Sequence, residues 1–205
     1  PTGLLNHISI KLQGIFIYMS TLYIFDFDDT LIDSESEIRV THKDGTTTAM
    51  SSEEYAKYDT AEGDVYDFSD FDAYPKNAEV IEPVFAELKS AIALSGTNNV
   101  VILTARSNPT PVRLFLKNNN VPDIAIEAVG SSDPKSKALY ILQRIKADNH
   151  NEVVVFEDNA RNIRTIRKAL TDEGVRLTTN RVSNGRVVNT IAELRLRSKL
   201  SRGNP

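Results

Sequence analysis

The chain has no cysteine and only three histidines, and both shortages narrow its chemistry. Without thiols there is no disulfide, no thiolate metal centre and no cysteine nucleophile, which fits a reducing compartment, and a cytoplasmic location is expected. Any metal would sit on oxygen or histidine. His7, His42 and His150 have no ligand spacing and read as surface residues of tail, hairpin and loop. No apolar run is long enough to cross a bilayer: LLNHISIKLQGIFIYM is broken by Asn6, His7, Lys11 and Gln13, with no small-residue cleavage site after it. Neither a signal peptide nor a membrane span is expected. There is no internal repeat and no low-complexity tract, and the closing SKLSRGNP reads as frayed. Residues 1–18, ahead of Met19, read as an N-terminal extension that is non-native, poorly ordered, or an additional strand or helix.

Carboxylates are abundant and unevenly spread. The net charge is only -4, from 28 acids against 24 lysines and arginines. Yet residues 26–82 carry roughly 13 more acids than bases, and residues 161–205 roughly 8 more bases than acids. The acidic half suits a divalent cation. The basic half (RNIRTIRKAL, RVSNGRV, RLRSKLSR) reads as a solvated helix face ahead of a nucleic-acid groove.

Four apolar runs have strand length: LYIF (22–25), VVIL (100–103), IAIEAV (124–129) and VVVF (153–156). Such continuous runs suit parallel strands buried on both faces. Helical patterns lie between and after them at 83–94, 109–117, 135–147 and 160–170. Alternating strand and helix predict an α/β fold with a Rossmann-like doubly wound parallel sheet, one domain over 19–205. An insertion at about 33–75 breaks the rhythm after the first strand, with a hairpin turning at Asp44-Gly45 and a short helix opened by the capping box Ser51 to Glu54.

In a doubly wound sheet the ligand site lies beyond the carboxyl ends of the strands, and the marked residues fall there. LYIF runs into Asp26, VVIL into Thr104, Ala105 and Arg106, and VVVF into Glu157 and Asp158; IAIEAV is followed by Lys135 and Lys137 at a helix start. Asp26 and Asp158 form an oxygen pair suited to Mg²⁺, which would keep open positions for water and a phosphoryl oxygen. Thr104 and a lysine would neutralise the remaining phosphoryl charge. The constellation is that of phosphoryl transfer.

DFDDTL, the threonine after VVIL, a lysine at a helix start and EDNARN after VVVF together resemble, in order, the four motifs of the haloacid dehalogenase (HAD) superfamily, over residues 23 to about 162. The resemblance implies a nucleophilic Asp26 that becomes an aspartyl-phosphate, with Asp28 as the acid and base. It implies Mg²⁺ held by Asp26, the backbone carbonyl of Asp28, and Asp158. Thr104, with Ala105 and Arg106 beside it, and a lysine would hold the phosphoryl group; Lys137 ranks ahead of Lys135 because it precedes the apolar helix face. An aspartate at 28 favours phosphatase or phosphomutase. The chain departs from the family pattern at Glu157 and at Asn162, where a further acid is usual. The expected activity is Mg²⁺-dependent phosphomonoester hydrolysis on a phosphorylated small molecule or nucleic-acid end, with no membrane partner. The alternatives are a nucleic-acid 3′-phosphatase or 5′-nucleotidase, and a non-catalytic module binding Mg²⁺ and phosphate. The insertion, HKDG to YDFSDF, also resembles that of small phosphatase-like proteins of tailed bacteriophages.

Other residues read more plainly. Asp29 is expected to cap the turn after the strand and Thr30 to brace it. Arg106 is balanced between gripping a substrate phosphate and pairing with a surface acid. Tyr55, Tyr58, Tyr66, Phe68, Phe71 and Tyr74 are expected to pack the insertion onto its domain rather than to stack on a base. A small lid would leave the crevice open to a bulky substrate end.

Overall fold

The structure, a computed structural model, describes residues 9–12, 15–18, 20–55 and 57–188, the first two segments by backbone alone. Each apolar run is a strand: β1 is Thr21–Phe25, β2 Val100–Thr104, β3 Ala125–Ala128 and β4 Glu152–Glu157. β1 pairs in parallel with β4 on one side and β2 on the other, and β3 lies outside β2. β5 (Arg176–Ser183) extends the parallel sheet beyond β4, and β6 (Arg186–Val188) closes it as an antiparallel edge. The order is therefore β3-β2-β1-β4-β5-β6. The chain builds outward from β1 to β3 and then returns across β1 to β4, and that reversal opens a crevice at the carboxyl ends of β1 and β4.

Helices α1 (Glu82–Ser95), α2 (Thr110–Asn118), α3 (Pro134–Asp148) and α4 (Ala160–Leu170) cover the two faces. Successive strand side chains point to opposite faces. Leu22 and Ile24 accordingly pack with Ala138, Ile141 and Ile166 of α3 and α4. Phe25 and Ile102 pack with Val84, Leu88, Val112 and Phe115 of α1 and α2. Each fully buried aliphatic or aromatic side chain contributes roughly 1.5–3 kcal/mol, so the two cores hold the central strands firmly. Phe25 also stacks on its register partner Phe156, with centroids 4.6 Å apart. The result is a mixed α/β fold with a mostly parallel sheet between helices, compatible with a Rossmann-like fold.

The insertion leaves and re-enters the domain through a short stem, Ile32–Asp33 paired with Glu79–Val80. It contains the expected hairpin, Ile38–Thr41 with Thr47–Met50, turning at Asp44-Gly45 with Gly45 at φ 85°. The expected capping box also forms: the Ser51 amide donates to Glu54 Oε2 (2.8 Å) and the Glu54 amide to Ser51 Oγ (3.2 Å). A third strand, Val65–Asp67, joins the hairpin beside Ile38–Thr41. Ile38, Val40 and Met50 form a small core under Tyr55, Tyr58, Tyr66 and Phe71, so these rings pack the insertion's own core, whereas Tyr74 against Phe115 and Phe71 against Arg106 make the expected contact with the domain.

The structure corrects two expectations and meets a third. RVSNGRV lies in the β5–β6 hairpin, not on a helix face; its turn has Asn184 and Gly185 at φ 49° and 67°. Asn-Gly between alternating residues is a hairpin signal. RNIRTIRKAL is α4, while RLRSKLSR lies outside the described residues. His150 is buried rather than on the surface, its Nδ1 2.8 Å from Ser20 Oγ; His7 lies outside the described residues. Of the alternatives for the N-terminal segment, the extra strand is present: Ser9–Leu12 pairs with Ile15–Tyr18 as an antiparallel hairpin. No helix among the described residues is long and apolar enough to cross a membrane.

Candidate active site

The Asp26 amide donates to Phe156 O (3.0 Å), so the β1–β4 ladder holds the first acid of the motif in place. The chain then turns sharply: Phe27 O accepts from both Leu31 N–H (2.9 Å) and Ile32 N–H (3.1 Å). Asp29 occupies the left-handed region at φ 58°, which aspartate tolerates better than most residues. This turn brings Asp26, Asp28 and Asp29 to the wall of one cavity of about 600 Å³. Thr30 braces a different loop from the one expected: its hydroxyl accepts from the Asp158 amide (3.1 Å) and donates to Asp158 Oδ1 (3.4 Å).

Lys137 sits in the first turn of α3, where a lysine opposes the helix dipole, and it is almost fully buried. Two acids compensate: Nζ lies 2.7 Å from Asp26 Oδ1 and 2.9 Å from Glu157 Oε2. Burial works to lower the Lys137 pKa, but the charges of Asp26 and Glu157 outweigh it and hold the group above its usual range. Glu157 Oε1 accepts from the Asn159 amide (3.1 Å) and Asn162 Nδ2 (2.9 Å). Burial pushes its carboxyl up, yet Lys137 and Asn162 bring it below the ordinary value. Asn162 and Glu157 thus act together, Asn162 holding the carboxylate that pairs with Lys137. Sequence reading missed that role; the signal was an acid directly after VVVF and ahead of a helix. Lys135 is exposed, and only its amide is engaged, with the N-cap Asp133 (3.0 Å).

Carboxylate oxygens of Asp26, Glu157 and Asp158 lie within 4.8 Å of one another. Burial, reinforced by Glu157 and partly offset by Lys137, raises Asp26 to about 6. Asp158 is pushed up to about 10 by burial and by the charges of Asp26, Glu157 and Asp29. Asp29 is raised to about 6 by burial, against a hydrogen bond from Ser52. So many acids with a single lysine among them fit a hard divalent cation, which would remove the repulsion. Both Glu157 oxygens are already engaged, which leaves Asp26 and Asp158 as the residues fitted to hold a metal ion.

Arg106 is also buried, and of the two roles weighed for it the pairing role is the one seen, with Asp28 rather than a surface acid. Its Nη2 and Nε donate to Asp28 Oδ1 (2.7 Å) and Oδ2 (2.9 Å). Nη1 donates to Phe71 O (2.7 Å) and Ala73 O (3.4 Å) of the insertion. The guanidinium lies between the Phe27 and Phe71 rings, 5.3 and 5.0 Å from their centroids. Burial raises the Asp28 carboxyl, with Arg106 opposing. Thr104 is fully buried at the end of β2, its hydroxyl accepting from the Arg106 amide (3.2 Å). Ala105 lines the cavity directly. The structure therefore gathers Asp26, Asp28, Lys137, Asp158, Ala105 and Arg106 around one cavity, with Thr104 behind its wall and Lys135 outside. No protein-family model, curated protein or solved structure matches this chain.

Proposed function

We propose that the chain is a Mg²⁺-dependent phosphomonoester hydrolase on a core like that of the HAD superfamily, with Asp26 as nucleophile. The observation that carries this reading is the Lys137 ammonium 2.7 Å from Asp26 at the sheet's switch point, with Asp158 beside the same carboxylate. A cation that close keeps Asp26 ionised for attack and leaves positive charge for the phosphoryl oxygens. An Asp26 oxygen attacks phosphorus, the ester P–O bond breaks, and the leaving oxygen takes a proton from Asp28. Water then attacks the aspartyl-phosphate and gives a proton to Asp28, and the P–O bond to Asp26 breaks to release phosphate. Mg²⁺, when bound by Asp26 and Asp158 with the Asp28 carbonyl, supplies the Lewis-acid charge that offsets the phosphoryl oxygens.

The test is phosphate release from a panel of phosphomonoesters with Mg²⁺ and with chelator, against Asp26→Asn. Metal-dependent release lost in the variant supports the reading; equal release in the variant or in chelator overturns it. Action on nucleic-acid 3′-phosphates, or as a 5′-nucleotidase, is the second reading. It is favoured by Arg161, exposed on the cavity lip, and by Arg181, whose Nε donates to Asp158 O (3.4 Å). Binding that weakens steeply with salt would mark a polynucleotide end. Nothing specific favours the non-catalytic reading, since Glu157 and Asn162 hold Lys137.

A further inference from the structure

Resting on that hydrolase reading, we infer that the leaving group is a nucleoside, its base held by the aromatic side chains of the insertion. The cavity that holds Asp26 and Lys137 on its floor continues to Tyr55, Tyr58, Tyr66, Phe68 and Phe71. At about 600 Å³ it has the size of an ordinary small-molecule pocket and far exceeds what a phosphoryl group alone would fill. One end supplies charge, the other flat rings.

The far wall offers ring faces together with a few hydroxyls, those of Ser52 and Thr60 among them. Tyr58 Oη is itself taken up, donating to Asp64 (3.0 Å). An aromatic base needs ring faces and one or two edge contacts. One feature of the same wall gains from such an occupant. Phe68 leaves 41% of its surface exposed while packing edge-on against Tyr55, with centroids 5.4 Å apart.

The test uses Asp26→Asn with Mg²⁺ for equilibrium binding of a nucleoside monophosphate, the unphosphorylated nucleoside and glycerol phosphate, alongside turnover by the unaltered protein. The nucleoside is expected to bind by itself. Phe68→Ala should lower the ratio of kcat/KM on nucleotide to kcat/KM on glycerol phosphate about tenfold, and Phe68→Tyr should restore it. Preference for free nucleotides or for a 3′-phosphorylated oligonucleotide would each uphold the inference and identify the nucleoside's source. Turnover as fast on glycerol phosphate as on nucleotides, with no nucleoside binding, overturns the nucleoside inference and leaves the hydrolase standing. Nucleoside binding without metal-dependent phosphate release overturns the hydrolase reading and, with it, the nucleoside as leaving group, and leaves only a base-binding cavity.

Discussion

The cavity floor stands on the last residues of parallel strands, buried between two helix layers and tied by ion pairs from Lys137 to Asp26 and Glu157 and by the hydrogen bond from the Asp158 amide to Thr30. Its far wall stands on three short antiparallel strands with a core of Ile38, Val40 and Met50, joined to the domain by the stem and the Arg106 loop. The difference teaches a division of labour. On the hydrolase reading proposed above, reacting groups need placement to a fraction of an ångström, which strand ends provide, and selectivity would sit on a separate piece that can vary without moving them.

Several changes would break or sharpen that contrast. Asp26→Asn should cut phosphate release about a thousandfold or more without lowering the melting temperature in chelator, because it removes one of several crowded acids; an unfolded variant would show the floor to be structural. Lys137→Ala strands Asp26 and Glu157 without a cation and should cost about 3–5 kcal/mol in urea unfolding. A loss near zero would mean that the floor is not organised around that lysine. Arg106→Ala acts on both regions, freeing Asp28 and the 71–73 segment together. Limited proteolysis within residues 33–75 should speed up about tenfold while the helical circular dichroism of the core persists.

Acidity gives a smaller effect. Asp26 and Asp29, raised to about 6, and Asp158, raised to about 10, bind protons more tightly folded than unfolded. Their contribution is fully present below the unfolded range near 4 and is lost as pH rises through the folded values. In chelator the melting temperature should therefore fall between pH 5 and 8, by several degrees, and Mg²⁺ should remove most of that slope. Lys135→Ala is the mildest change and should alter turnover less than twofold; a large loss would reverse the ranking of the two lysines.

The strands were legible because continuous apolar runs admit few other readings; the placement of Asp26 and Asp158 followed from the runs that precede them, and that of Lys137 from the helix start after the third run. β5 and β6 were overlooked because TTNR at 178–181 and SNGR at 183–186 leave no continuous apolar run, although Asn184-Gly185 marks their turn. His150 is buried where its polar neighbours suggested a surface loop. The partner of Arg106 could not be read, because Asp28 lies 78 positions away and only the β1–β2 pairing brings them together. Nor did local pattern reveal that the packed aromatics also face the cavity, since a ring can do both at once.

Ile32 and Val80 are neighbours across the stem, so everything between them is a cassette whose two ends meet. A short turn joining those ends would replace the whole segment without moving a single β1 or β2 residue, because neither belongs to the central sheet. The core can thus be refitted with a different cover, and on the proposed hydrolase reading the same strand ends would then serve a different leaving group.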